Sequence, residues 1–188
     1  MLPASCDIAF KEWASVCRAL ADGRQTIILR KGGIDEGREG FRVVHRHFWL
    51  FPTRFHQSPS ELSAAGAGYL ASESPDSLDG TKIALKLLAQ VEQVEWMASE
   101  EKLSQLGHFH IWSDSTVRER FHYKRPGLFL LLVRVFRCDA HSITNAPEFA
   151  GCKSWVPLQE SLSTGNAQPA LGDAEFAAQR DQLRAAIS

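Results

Sequence analysis

Two arginines stand where charge is expensive. Arg30 closes the run Ile27–Leu29, and Arg134 follows Leu128–Val133; both stretches are otherwise apolar. A guanidinium keeps its charge at any physiological pH, so within a water-poor strand it needs a carboxylate, a carbonyl dipole or an incoming anion beside it. A structural ion pair and a ligand site both meet that need, and Glu12 is a candidate carboxylate. Arg30-Lys31-Gly32-Gly33 adds a second cation and two residues without Cβ, whose backbone N–H groups can approach a phosphate or carboxylate closely. The same four residues also suit a strand that ends in a tight turn, and they match neither a Walker loop nor a dinucleotide fingerprint.

Histidines recur in alternation, as His45-Arg46-His47 and His108-Phe109-His110. Residues two apart on a strand share a face, so either pair offers two ring nitrogens to one metal, although no third ligand is identifiable. The competing role is an ordinary core or surface histidine. His56 and His110 each end an apolar element, where pockets open, and are the general-base candidates. Cys152 beside Lys153 has a neighbouring cation that favours thiolate; no base accompanies it, and a buried inert thiol is the alternative. The aromatics Trp49, Phe51, Phe55, Trp112, Phe121 and Tyr123 are interleaved with Arg46, Arg54, Arg118, Arg120, Lys124 and Arg125. That is the composition of a surface for single-stranded nucleic acid, and core packing explains the same rings.

The elements that must position these groups fit one domain. At 188 residues, 44% apolar and 23% charged, the chain can bury one core without staples. Cys6, Cys17, Cys138 and Cys152 form no C-x-x-C pair and read as reduced thiols of a cytoplasmic protein; no leader and no membrane span is expected. Net charge is −1 but uneven: +3 over 1–60, −5 over 61–105, +3 over 106–155 and −2 thereafter. The two basic blocks suggest an anionic ligand.

Residues 7–22 place Phe10, Trp13, Cys17 and Leu20 at spacings of three and four, which predicts a helix, with a strand as competitor. Gln25–Lys31 reads as a strand, and the alternation over Phe41–Phe51 predicts a longer one ended by Pro52. Ser58-Pro59-Ser60-Glu61 resembles a capping box that opens a helix to Tyr69, and 71–80 reads as a surface loop. Lys82–Trp96 alternates as a bulged strand, Ser99 caps a helix, Ser113 or Asp114 caps another, and Leu128–Arg137 is apolar on both faces like a central strand. Residues 151–156 suggest an edge strand and 161–172 a linker; from Asp173 a helix carries Phe176, Leu183 and Ile187 as a stripe that docks or serves a partner. The expectation is an α+β fold: one domain over 1–160 with a mixed or antiparallel sheet of about four to six strands and three to five helices, then a linker and helix over 161–188.

Phe10-Lys11-Glu12-Trp13, Leu29-Arg30-Lys31-Gly32-Gly33-Ile34, Phe51-Pro52-Thr53 with His56-Gln57, His110-Ile111-Trp112, Arg120-Phe121 with Tyr123, and Gly151-Cys152-Lys153-Ser154-Trp155 occur in one order over about residues 8–160. In these motifs the chain resembles a bacterial family catalogued as a domain of unknown function, number eighteen-zero-two. The resemblance implies no activity; it nominates Lys11, Glu12, Arg30, Lys31, His56, His110, Arg120 and Lys153 as motif positions. Glu12, His56 and His110 are therefore the candidate catalytic groups, and Lys11, Arg30, Lys31, Arg120, Arg134 and Lys153 the candidate ligand contacts. No cofactor or metal is assigned. Three functions are expected to compete: binding or processing of a nucleic acid or phosphorylated ligand in a basic cleft, a metal-dependent hydrolase resembling a nuclease, and a protein-interaction module without chemistry.

Overall fold

A computed structural model describes residues 1–31, 43–54, 58–71, 81–151 and 153–188. Its framework is a mixed sheet of seven strands: β1 Ser5–Trp13, β2 Ile27–Arg30, β3 His47–Thr53, β4 Lys82–Met97, β5 Leu128–Thr144, β6 Trp155–Ser163 and β7 Gln168–Pro169. They lie in the order β2-β5-β4-β3-β1-β6, with β7 also on β5. The pairing is antiparallel except between β1 and β3. Five α-helices complete it: α1 Ala14–Ala21, α2 Ala64–Ala71, α3 Glu100–Ser104, α4 Asp114–His122 and α5 Asp173–Ile187. The single α+β domain holds, with one strand more than expected; the extra one is the two-residue β7, too short to carry a sequence signal. No helix among the described residues is long and apolar enough to cross a membrane.

Period-two side chains give the sheet a core on each face. Phe10, Phe48 and Leu50 enter the larger cluster with Cys17, Leu20, Val117, Phe121, Phe176 and Leu183 from the helices. Ala9, Trp49 and Phe51, one residue out of phase, enter a second cluster with Leu85, Phe149 and Val156. β4 and β5, 16 and 17 residues long, serve both clusters because register shifts at Leu85/Leu87 and Val91/Gln93 bend them. The sheet also closes toward itself. Three strands separate β2 from β1, a distance of about 19 Å if the sheet were flat, yet the Arg30 side chain donates to the Lys11 carbonyl.

Four local expectations need correction. The helix expected over 7–22 begins only at Ala14; residues 5–13 are β1, paired on both edges by β3 and β6, which lets Ala9 and Phe10 enter separate cores on opposite faces. The helix expected from Ser58 is a 3-10 turn over Pro59–Glu61 and then α2, since Leu62 bridges Trp112 and Ser113 donates to the Glu61 carbonyl (2.9 Å), holding the intervening backbone extended. The long strand starts at His47 and includes Pro52, which sits opposite Glu12; residues 41 and 42 lie outside the described part, as does most of the expected 71–80 loop. The stretch 161–172 holds the end of β6 and all of β7, so it is tied to β5. Ser99 and Ser113 cap α3 and α4 as expected, accepting from the Lys102 and Thr116 backbone N–H groups.

Candidate functional site

The end of β1, the end of β2 and the last turn of α4 meet at two guanidiniums. Arg30, last residue of β2, lies 4.4 Å over the Phe10 ring and donates to the Lys11 carbonyl. Its Nε is buried without a hydrogen-bond partner, and no carboxylate among the described residues pairs with it. Arg120 lies 3.6 Å over the Trp112 ring and 5.8 Å from that of Trp13, the two indoles meeting edge to face at 4.7 Å. Glu61 approaches it at 4.0 Å. Burial lowers the Arg120 pKa from its ordinary value; Glu12 and Glu61 oppose that and Arg30 reinforces it. The two arginines thus feel each other as like charges.

Glu12, 4% exposed, accepts from the Trp13 backbone N–H at 2.8 Å, while Thr53 Oγ1 donates to its carbonyl at 3.2 Å. It is the buried counter-charge of the cluster, as its influence on Arg120 records. An Arg120 side chain 29% exposed and 3.6 Å over an indole can offer its N–H fork to a phosphate.

The other nominated residues are placed elsewhere or spent. The Lys31 ammonium donates to the carbonyls of Phe121 (2.7 Å), Arg125 and Gly127, using all three donors to close the end of α4. Burial, then repulsion by Arg125, lowers its pKa. Lys31→Met should therefore cost about 2–3 kcal/mol in urea unfolding by orphaning three carbonyls; a loss under about 0.5 kcal/mol would mean water replaces the ammonium freely. Lys11 turns its ammonium to the carbonyls of Phe149 and Gly151. Lys153 is exposed just before β6. Arg134 pairs with Asp173 at the start of α5 and lies 5.5 Å from the rings of Phe136 and Phe176, which answers its charge away from Arg30 and Arg120.

His110 is 2% exposed, with Nδ1 unpartnered. Desolvation pushes its pKa down to about 4 against the pull of Asp114, with Arg24 and Arg120 adding to the fall, so it is a neutral core imidazole that substrate cannot reach as placed. His56, Gly32, Gly33, Phe55 and Cys152 lie outside the described residues. Trp49, Phe51 and Phe121 are core, whereas Tyr123 is 52% exposed. Among the described residues no three His, Cys, Asp or Glu gather to hold a metal; His45 packs on Trp155, and His47 meets Gln90 at 3.3 Å. The stripe of α5 is largely occupied, Phe176 and Leu183 in the core and the end of the helix held by Lys102. Sequence reading passed over Trp13 and Glu61 as site residues; only the bridge that sets 61–63 beside 111–113 brings Glu61 to Arg120.

The model of the family described as "Domain of unknown function (DUF1802)" matches residues 9–182. No curated protein matches the sequence. Among solved structures, a serine-to-alanine mutant of ZmASCH from Zymomonas mobilis is similar at 14% identity and a TM-score of 0.50, over 97% of this chain and 99% of that one. A tyrosine-to-phenylalanine mutant of the same protein has 14% identity and a TM-score of 0.47, over 93% and 96%. At that identity the likeness to the first is one of fold.

Proposed function

The chain belongs to the family described as a domain of unknown function (DUF1802), whose description assigns no chemistry, and from its own residues we propose that it binds single-stranded nucleic acid, holding a backbone phosphate between Arg30 and Arg120. The observation that carries this reading is the imbalance at the site. Arg120 has Glu61 at 4.0 Å and feels buried Glu12, whereas Arg30, which Arg120 feels as a like charge, has no carboxylate partner among the described residues and a buried Nε without a hydrogen bond. A phosphate between them removes the repulsion and accepts from both N–H forks, as a bidentate acceptor suits a planar donor. Trp13, half-buried against Trp112, supplies stacking surface for the adjacent base. Among the described residues no cluster of metal-binding side chains supports the hydrolase alternative.

Counterion release tests the reading directly. Titration of a labelled ten-nucleotide strand from low to moderate salt should give a log–log slope of about −0.7, the value for one neutralised phosphate. No binding at the lowest salt would end the proposal. Tight binding of a free nucleotide with no gain from the longer strand would move it to a small phosphorylated ligand.

A further inference from the structure

Trp96 is the unusual surface residue of this chain. It sits near the end of β4, 40% exposed, yet its ring is fixed: Phe129 meets it edge to face at 4.8 Å, and Gly127 lies so close beneath that a Cβ there would come within 2.3 Å of the ring. Gly127 at φ +113° also has a backbone that other residues rarely adopt. Arg125 lies 5.4 Å from the ring centroid. A rigid indole left open to water is a stacking platform, because the cost of ordering it has been met by the fold. It borders a cleft of about 840 Å³ between the end of β4, the start of α3 and the last turn of α5, within the range that small planar ligands occupy.

The charges lining that cleft decide what enters. Of its cations, Lys102 donates to the carbonyls of Ile187 and Ser188, and Arg184 spends its Nε–H on the side-chain oxygen of Gln93 at 3.0 Å. Its carboxylates are met by neutral amides, Glu92 by Gln90 at 2.6 Å and Glu95 by Gln93 at 3.0 Å, and so keep acceptor capacity. Such a lining offers oxygen acceptors to amino groups, and Arg125 sets a positive charge beside the Trp96 ring. A nucleobase has that chemistry, apolar on its faces and rich in N–H donors along its edge. The position agrees with the first site, because consecutive residues serve both: Arg30 belongs to the guanidinium pair, and Lys31 holds the carbonyls of Arg125 and Gly127 in the turn beneath Trp96.

We propose that the Trp96 cleft is a second base subsite, stacking a nucleobase of the strand whose phosphate Arg30 and Arg120 hold, with Glu92, on the same face of β4 as Trp96, accepting from the base's exocyclic amino group. The inference rests on the binding reading above. It predicts preference: a ten-nucleotide cytidine strand should bind about fivefold tighter than a uridine strand, since only cytosine offers an exocyclic amino donor to a carboxylate.

The decisive experiment compares Trp96→Ala, Trp96→Phe and Trp96→Leu on ten-nucleotide and two-nucleotide cytidine strands. Trp96→Ala should weaken the long strand about tenfold and leave the dinucleotide unchanged, while Trp96→Phe keeps most of the affinity. Trp96→Leu fills the contact with Gly127 without a π face and should behave like alanine even if the alanine protein folds poorly. Long-strand affinity retained in Trp96→Leu overturns the second subsite alone, provided Arg120→Ala still loses binding. If the parent protein binds no strand at all, both readings fall together.

Discussion

Arg120→Lys is expected to lose strand binding almost as fully as Arg120→Ala, each by roughly a hundredfold. The reason is geometric. The guanidinium lies 3.6 Å from the Trp112 ring and feels Arg30 as a like charge, and in the proposed complex it offers its N–H fork to the phosphate. A lysine keeps the charge, but its ammonium is a hydrated point with no plane to stack and no fork to offer. Fluorescence anisotropy of a labelled ten-nucleotide strand at low salt separates the two effects. A lysine protein within about threefold of the parent would show that net charge alone drives association. Thermal unfolding of the same variants is the control, because removing Arg120 also removes the cationic partner of buried Glu12, and a large fall in stability would make the affinity loss indirect.

The second large effect is acid-linked instability centred on His110. Burial keeps this imidazole neutral in the folded protein until about pH 4, whereas an unfolded chain protonates it near its ordinary value of 6.5. Below 6.5 the unfolded state therefore binds the extra proton, and stability falls as pH drops from 6.5 through 4. The window corresponds to about 3 kcal/mol. The groups around it, Asp114 pulling the pKa up and Arg24 and Arg120 pushing it down, do not cancel desolvation. Denaturant unfolding at pH 7, 5.5 and 4 should show His110→Asn losing about 3 kcal/mol less than the parent across that range, even if it starts less stable. Parallel curves for the two proteins would mean that His110 is charged or hydrated in the native state.

What was legible in the sequence was local in origin. The period-two alternation of β4, the apolar run that becomes the first half of β5, the serine caps of α3 and α4 and the helix beginning at Asp173 all depend on residues within a few positions of one another. So do the motifs that carried the family resemblance, which the match over 9–182 bears out. The first segment misled because Phe10, Trp13, Cys17 and Leu20 fit a helical stripe, while the decision between helix and strand lay with β3 and β6, which arrive dozens of residues later.

Arg30 and Arg134 carry the same signature in one dimension, a cation in an otherwise apolar strand, and the sequence by itself determined only that each must be answered. Tertiary structure decided how. Arg134 meets the carboxylate of Asp173, 39 positions away, although its Nε, like that of Arg30, is buried without a hydrogen bond; Arg30, brought across by the curvature of the sheet, finds a carbonyl, a ring face and a second guanidinium. A buried charge states its need through its own chemistry, but its partner is chosen by which distant segments the fold brings within a few ångströms, and that proximity has no local trace in the chain.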